Sequence, residues 1–397
     1  MKTDSIPQSC CVIGGGIIGL WTALHLIREG TPTVLIEQFP INHSRGSSHG
    51  GSRSFRMLGS DHLTTLAYSL SQWQDLEKGI PGSLFIQTGL INFGEEGDPY
   101  LSSSMDNVMR GGYHTKWMSA EEISKQFPML HYSQNWGAAY DETAGILVAS
   151  KCVDYVRNEF YKLGGKLIHA IAKQVKSFQG EHANVQIQYP TGIEKTLTFK
   201  KIVACCGPWT IKLFPHLKSI LTTKLIPVTY WQELNNLGNP VDNIAETVYS
   251  VASGFPIIYN ARLTDVYAIP SYEYPGLVKV LYHGGPVADP DFWGKEDLQS
   301  YIQHVRKYVK MHFPKLDHTF PAVTERCFYT CTTDNLPILD KIDESLILGA
   351  GFSGSGFKHS PATGRILAAL ALGNEDKLPN GYQLSQYTLK RFTHSDG

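Results

Sequence analysis

Polar and apolar positions change rhythm between residues 10 and 37, and each change marks an element. Residues 10–13 are apolar throughout and stop at three glycines, the pattern of a short buried strand. Beyond them Ile17, Leu20, Leu24 and Ile27 recur at helical spacing, and Gly30 supplies a stop. The apolar run at residues 34–36, following Thr33, predicts a second buried strand. Strand, glycine turn, helix and strand together make a βαβ unit.

The rest of the chain reads more coarsely. Helical stretches (63–79) mix with strand-like runs (83–93) up to about residue 150. Residues 140–170 predict a strand entering a long helix and then another strand, and residues 200–214 repeat strand, tight turn and helix. From 216 to 320 short alternating runs dominate and predict an antiparallel sheet, barrel-like or open. Residues 345–372 return to strand, glycine-rich turn and helix. The expected class is α/β plus α+β: a discontinuous, Rossmann-like nucleotide domain with a mostly antiparallel domain inserted into it. No repeats or low-complexity tracts interrupt it.

Composition narrows the partners. A chain of 397 residues has room for two cores. Charged residues make up 18% and the net charge is −1, so no basic field is available for nucleic acid or an anionic membrane. No apolar run reaches the length of a bilayer span. The polar start MKTDSIPQS does not read as a signal peptide, and the end THSDG lacks a Ser-Lys-Leu type of peroxisomal address. Seven cysteines, two adjacent pairs of them in apolar runs, do not form a secreted disulfide framework. These features point to an intracellular, cytoplasmic protein with a small-molecule partner.

The chemistry-bearing motifs come in order. Gly14, Gly16 and Gly19 have the G-x-G-x-x-G spacing between the predicted strand and helix. Gly14 suits the tight turn, Gly16 lets backbone approach a pyrophosphate, and Gly19 packs helix on strand. Glu37 ends the second strand, where an acid binds a ribose hydroxyl pair, so NAD and FAD both fit. The loop HSRGSSHGGSRSFR (43–56) carries more arginines than a linker needs, and they suit an anionic ring or a carboxylate. RCFYTCTTDN (326–335) sets Cys327 and Cys331 four apart, open to reading as a metal clip, a disulfide, a redox pair or an attachment point. A zinc site usually has two C-x-x-C clips and a thioredoxin pair has C-x-x-C at a helix start; this spacing is neither.

Taken together, VIGGGIIG, HSRGSSHGGSRSFR, CCGPWT, YPGLVKVLYH, CFYTCTTDNLPILD and GAGFSGSGFKHSP resemble, in order, the monomeric sarcosine oxidase family of FAD amine oxidases. The resemblance spans about residues 10–370 and is strongest to the animal sarcosine/L-pipecolate oxidase branch. It implies FAD, joined by a thioether at Cys327, in a domain formed by residues 1–90, 150–215 and 321–397, with residues 91–149 and 216–320 forming the substrate domain. It implies cofactor contacts at Gly14, Gly16, Ile17, Ile18, Gly19, Glu37, Gln38, Arg45, Ser48, His49, Val175, Gly207 and Trp209, and at Gly351, Gly354, Ser355, Gly356, Phe357 and Lys358. Ser355 stands where the family often has histidine. Arg56 and Lys358 would hold a substrate carboxylate, with Tyr267 and His283 near the amine. Arg53 and His49 would flank the ring, and Lys279 would activate oxygen. The implied reaction oxidises the C–N bond of a secondary amino acid with O2, in a monomer without metal. A dehydrogenase with another electron acceptor and a non-catalytic nucleotide-binding scaffold are the alternatives.

Overall fold

The structure, a computed structural model, describes residues 4–392 apart from 61, 81, 179, 244, 261–263, 293, 379 and 380, so the THSDG segment lies outside the described residues. Its first sheet runs in the order Ile171–Phe178, His182–Gln188, Glu194–Ala204, Asp4–Ile13, Thr33–Glu37 and Lys166–His169. Glu194–Ala204, Asp4–Ile13, Thr33–Glu37 and Lys166–His169 pair in parallel. Leu346–Ala350 joins Glu194–Ala204, also in parallel.

The helix Ile17–Arg28 lies against the last long helix, Gly356–Leu372, with Gly364 pressed on the backbone of Trp21. Trp21, Trp73, Phe55 and Phe160 are buried in the core that forms around them. Gly30, at φ +79°, ends the first helix, and its N–H and that of Thr31 cap the carbonyls of Ile27 and Leu26 at 3.0 and 3.1 Å.

A second sheet runs Val323–Thr332, Leu221–Gln232, Leu277–Tyr282, Val266–Ile269, Ile257–Asn260, Leu90–Glu95, Trp136–Asp141 and Thr115–Met118. It is open and antiparallel except where Ile257–Asn260 runs parallel to Leu90–Glu95. A three-stranded sheet of Ser52–Phe55, Gly145–Val148 and Phe85–Gln87 accompanies the two large ones.

Four features differ from the sequence expectation. The 216–320 region holds a long helix, Gln299–His312, which buries Val305, Tyr308 and Val309 in the second core. The expected helix after Ala204 is a single turn, Thr210–Leu213, between two 3-10 turns. The strand Val323–Thr332 pairs along Leu221–Gln232 in the second sheet, past the boundary expected at 321. The polar start contributes to the first strand, which begins at Asp4 and is irregular between Ile6 and Cys10.

Candidate active site

One cavity of about 930 Å³ runs from the glycine turn to the second sheet. That is large enough for an extended ligand. At one end, Gly14 has φ +105°, and a Cβ there would stand 2.2 Å from the Cys205 carbonyl oxygen, so no other residue fits this turn. The N-terminus of the first helix opens onto the cavity through Gly16 and Ile17. Such a terminus presents N–H groups and a partial positive charge. Glu37 closes the turn: one carboxylate oxygen accepts from Gly15 N–H at 2.7 Å, the other from Phe39 N–H at 2.9 Å.

The 43–56 loop ties this end to the second sheet. Ser48 Oγ accepts from Ile17 N–H at 3.0 Å, while Ser47 Oγ donates to the Phe328 carbonyl at 2.6 Å. Arg53 donates to the carbonyls of Ser52, Ser47 and His49 at 2.7, 3.0 and 2.6 Å, so its donors hold the loop. Burial and the adjacent Arg53 lower the His49 imidazole to about 4. Among the described residues His49 Nε2, Ser54 Oγ and Thr330 Oγ1 are buried with no hydrogen-bond partner, and all three residues line the cavity. Orphaned polar atoms on a cavity wall are what a polar guest would satisfy. Cys327, buried on the same wall, has its thiol 3.8 Å from the Ser47 carbonyl, and burial raises its pKa. All seven cysteines are free, and among the described residues no group of histidines, cysteines and carboxylates is placed to hold a metal ion.

Two lysines define the far end. Lys279, 5% exposed, is ion-paired with Glu273 and donates to Ser52 Oγ at 2.9 Å and to the Ser52 carbonyl at 3.3 Å. The residues on either side of it, Leu277, Val278, Val280 and Leu281, are apolar and give no sign of the carboxylate six residues earlier. Lys358 belongs to the last long helix, at its first turn, and faces the cavity. Burial and Arg56 push its ammonium well down, and among the described residues no carboxylate pairs with it. Arg56 lies 4.3 Å over the ring of Tyr259 and donates to the Leu58 carbonyl. Asp141, fully buried, fixes that turn by accepting from Met57 and Leu58 N–H at 2.8 and 2.9 Å.

The same cavity wall carries a cluster of uncharged groups. Tyr329 Oη is 3.3 Å from His283 Nδ1, and the His283 ring lies between contacts with Tyr329 and Tyr267, at centroid distances of 5.0 and 6.2 Å. Burial raises the Tyr267 phenol to about 12; burial and the cations Arg56 and Lys358 lower His283 to about 4. Gly354, at φ +83°, lets these rings close in: a Cβ would meet Tyr329 and His283 at 2.6 and 2.7 Å.

The cavity wall brings together Gly14, Gly16, Ile17, Ile18, Glu37, Gln38, Ser48, His49, Arg53, Arg56, Gly207, Trp209, Tyr267, Lys279, His283, Cys327, Gly354, Ser355, Gly356, Phe357 and Lys358. Four residues expected at the cofactor lie off it. Gly19 packs against the Gly14 carbonyl oxygen, where a Cβ would stand at 1.9 Å. Arg45 donates to the Pro290 carbonyl at 2.9 Å and lies over the ring of Phe39. Val175 packs into the core of the first sheet, and Gly351 against Thr332. Ser355 Oγ donates to the Phe352 carbonyl at 3.0 Å, so here it serves the turn itself. Tyr259, Tyr329 and Glu273 escaped the sequence reading. A signal existed for Tyr329, two residues beyond Cys327 on one strand and so on the same face.

Comparison with known proteins agrees with this architecture. Residues 9–370 match the family model DAO, FAD dependent oxidoreductase. The chain is 33% identical over 394 residues to peroxisomal sarcosine oxidase of Mus musculus, covering 96% of this chain and 95% of the mouse protein. It is 26% identical over 372 residues to monomeric sarcosine oxidase of an Arthrobacter species, covering 91% of each. L-proline dehydrogenase from P. horikoshii shares the fold, with a TM-score of 0.77 at 19% identity over 99% of both chains. The chain belongs to the DAO family of FAD dependent oxidoreductases, and its full-length likeness to the sarcosine oxidases makes it an FAD-dependent amine-oxidising enzyme.

Proposed function

We propose that the enzyme oxidises the C–N bond of a secondary amino acid such as sarcosine, L-pipecolate, L-proline or an N-methyl amino acid. The observation that carries this reading is the pair Lys358 and Arg56: two cations on one cavity, with no carboxylate paired to Lys358 among the described residues. A buried cation without a partner is costly, and an anionic ligand removes the cost. A substrate carboxylate there would place its amine among Tyr267, Tyr329 and His283, which stays neutral near pH 7 and so leaves the amine free to lose its proton.

FAD would lie along the cavity, its adenosine end at Gly14, Gly16 and Glu37 and its ring beside Arg53, His49 and Cys327. It supplies the redox capacity. The chain's own groups orient the substrate, exclude water and place charge. In the net reaction the substrate loses an electron pair and two protons to become an imine, and O2 gains them to leave as H2O2. In this reading Lys279 stabilises negative charge developing on oxygen. The division into a cofactor domain (1–90, 150–215, 321–397) and a substrate domain (91–149, 216–320), with the strand Val323–Thr332 crossing over to pair in the second sheet, and a monomeric state belong to the same proposal.

Covalent attachment through Cys327 is checked directly. Acid-precipitated protein should keep its yellow colour in the pellet, and Cys327→Ser should release it; flavin wholly in the wild-type supernatant rejects the bond. The reaction is tested by screening secondary amino acids for peroxide release and, under nitrogen, for bleaching of the flavin band. Both are expected with the same compounds. Bleaching without peroxide in air would favour the alternative, a dehydrogenase with another electron acceptor, a reading that draws on the compensation of Lys279 by Glu273.

A further inference from the structure

We infer that Glu273 is a positioning residue for Lys279: it holds the ammonium charged and pinned beside the Gly51–Ser52 backbone, where it meets oxygen. The inference rests on the oxygen role proposed above for Lys279.

The geometry is that of a built site. Glu273 is 8% exposed and, as a carboxylate, has donors on both oxygens. Oε2 accepts from Gly51 N–H at 2.9 Å and from Tyr230 Oη at 2.7 Å. Oε1 accepts from Ser52 Oγ and from Lys279 Nζ. The ammonium spends its donors on Glu273, Ser52 Oγ and the Ser52 carbonyl. Ser52 therefore touches both partners, and the pair is stitched to the loop that also carries His49 and Arg53.

Electrostatics gives the pairing its purpose. A lysine buried alone loses its proton, because water no longer solvates the charge. Burial holds the Lys279 ammonium below the usual lysine value; Glu273, by charge and hydrogen bond, is the main group opposing that loss, Arg53 adds to it, and Glu325 opposes it more weakly. The other titratable groups near it are Tyr230, whose ring is 5.1 Å from the ammonium, and Cys327. Burial raises the Glu273 carboxyl, but Lys279 and the hydrogen bonds from Lys279, Ser52 and Tyr230 outweigh it and hold it ionised. Glu325 accepts from Tyr274 Oη at 2.7 Å and lies 3.0 Å from Tyr230 Oη, so its charge is turned towards the tyrosines. Glu273 is thus the anion placed to keep Lys279 protonated.

The test uses the holoenzyme, reduced by substrate under nitrogen and mixed with oxygenated buffer from pH 6 to 9. Wild type should reoxidise with a flat profile. In Glu273→Gln, reoxidation should fall as pH rises, by about tenfold per pH unit once the lysine has lost its proton, with anaerobic reduction little changed. Glu273→Asp, which keeps the charge, should restore the flat profile. A second readout is the thermal midpoint of the oxidised holoenzyme. Glu273→Gln and Lys279→Met each leave one buried charge unpaired, so each should lower it, and the combined variant should regain much of the summed loss. If Glu273→Gln does not accumulate, the combined variant must; its failure would overturn the pairing. Additive losses in the midpoint, or a wild-type reoxidation profile in Glu273→Gln while Lys279→Met is slow, overturn the inference alone. Wild-type reoxidation in Lys279→Met removes the oxygen role of Lys279 and the inference with it.

Discussion

Lys279 and Lys358 line the same cavity and are kept in opposite ways. Lys279 ends on a carboxylate and two oxygens of Ser52, all supplied by the protein. Lys358 ends in the cavity beside another cation. The arginines follow suit: Arg53 spends its donors on loop carbonyls, whereas Arg56 lies over Tyr259 and donates to the Leu58 carbonyl. Charge-assisted hydrogen bonds contribute roughly 1.5–3 kcal/mol each, and a buried ion left unpaired costs several kcal/mol. Folding alone therefore accounts for Lys279 but works against Lys358. In the proposed function, the difference separates a charge held by the scaffold from a charge that a ligand's carboxylate would pair.

The largest expected effect breaks the first half of this contrast. Lys279→Met keeps the stem and removes the charge. Reoxidation by O2 should slow by roughly two to three powers of ten, equivalent to about 3–4 kcal/mol in the barrier. Reduction by substrate under nitrogen should change far less. Rapid-mixing absorbance at the oxidised flavin band reads both halves. Equal losses in both would make Lys279 a purely structural partner of Glu273.

Next in size is the ligand-facing lysine. Lys358→Met should weaken binding of carboxylate-bearing substrate analogues by about ten- to a hundred-fold and leave a decarboxylated amine nearly unaffected. Proton linkage sharpens the point. The free ammonium is held low by burial and Arg56, and a bound carboxylate would raise it. Binding should then take up a proton and weaken as pH rises through the raised pKa. Calorimetry in buffers of different ionisation heat measures that uptake, which Lys358→Met should abolish.

A smaller loss is expected at Asp141, which touches neither lysine. Its carboxylate accepts from Met57 and Leu58 N–H and, at 3.0 and 2.6 Å, from Thr143 N–H and Oγ1. Asp141→Asn leaves at least one of these donors facing an amide. A cost of about 1–3 kcal/mol in stability follows, with a KM effect about tenfold or less through the Arg56 turn. If KM rises while the melting temperature does not, Asp141 acts on Arg56 without carrying the fold.

The contrast between the lysines shows what the sequence could carry. Local patterns were legible: the apolar runs around Gly14–Gly19, the 43–56 loop and the turn at Gly354 each declare themselves within a few residues. The motif around Lys358 was legible too, and the structure sets that lysine on the cavity wall. The pairing of Lys279 was not, because Glu273 sits in the turn before the lysine strand and reaches it only once Ser52, from a distant loop, closes the triangle. The helix Gln299–His312 hid for another reason. Its apolar face relies on Tyr308 and His312 as much as on valines, so its period is faint beside the strands preceding it. Val175, expected from the resemblance, is partly buried against the core of the first sheet, a position that an apolar residue on a strand takes whether or not a ligand lies nearby.

The smallest expected effect is acid sensitivity, and it reads the uncompensated cations a second way. His283 is held at about 4 by burial and by Arg56 and Lys358, and His25, stacked on Trp21 in the core, at about 3. In the unfolded chain both titrate near 6.5. The folded state binds the proton less well, so the neutral rings' contribution is fully present above about pH 6.5 and is lost as pH falls towards the folded values. Each should remove on the order of 1 kcal/mol by pH 5.5. A carboxylate ligand should change the two histidines differently. Beside Arg56 and Lys358 it cancels the charge that opposes protonation of His283, so that ring should take its proton at higher pH. His25, away from the cavity, should not move. NMR titration of the imidazole resonances with and without a non-reactive carboxylate analogue measures both. Equal shifts, or none at His283, would mean that the anion does not sit at Lys358.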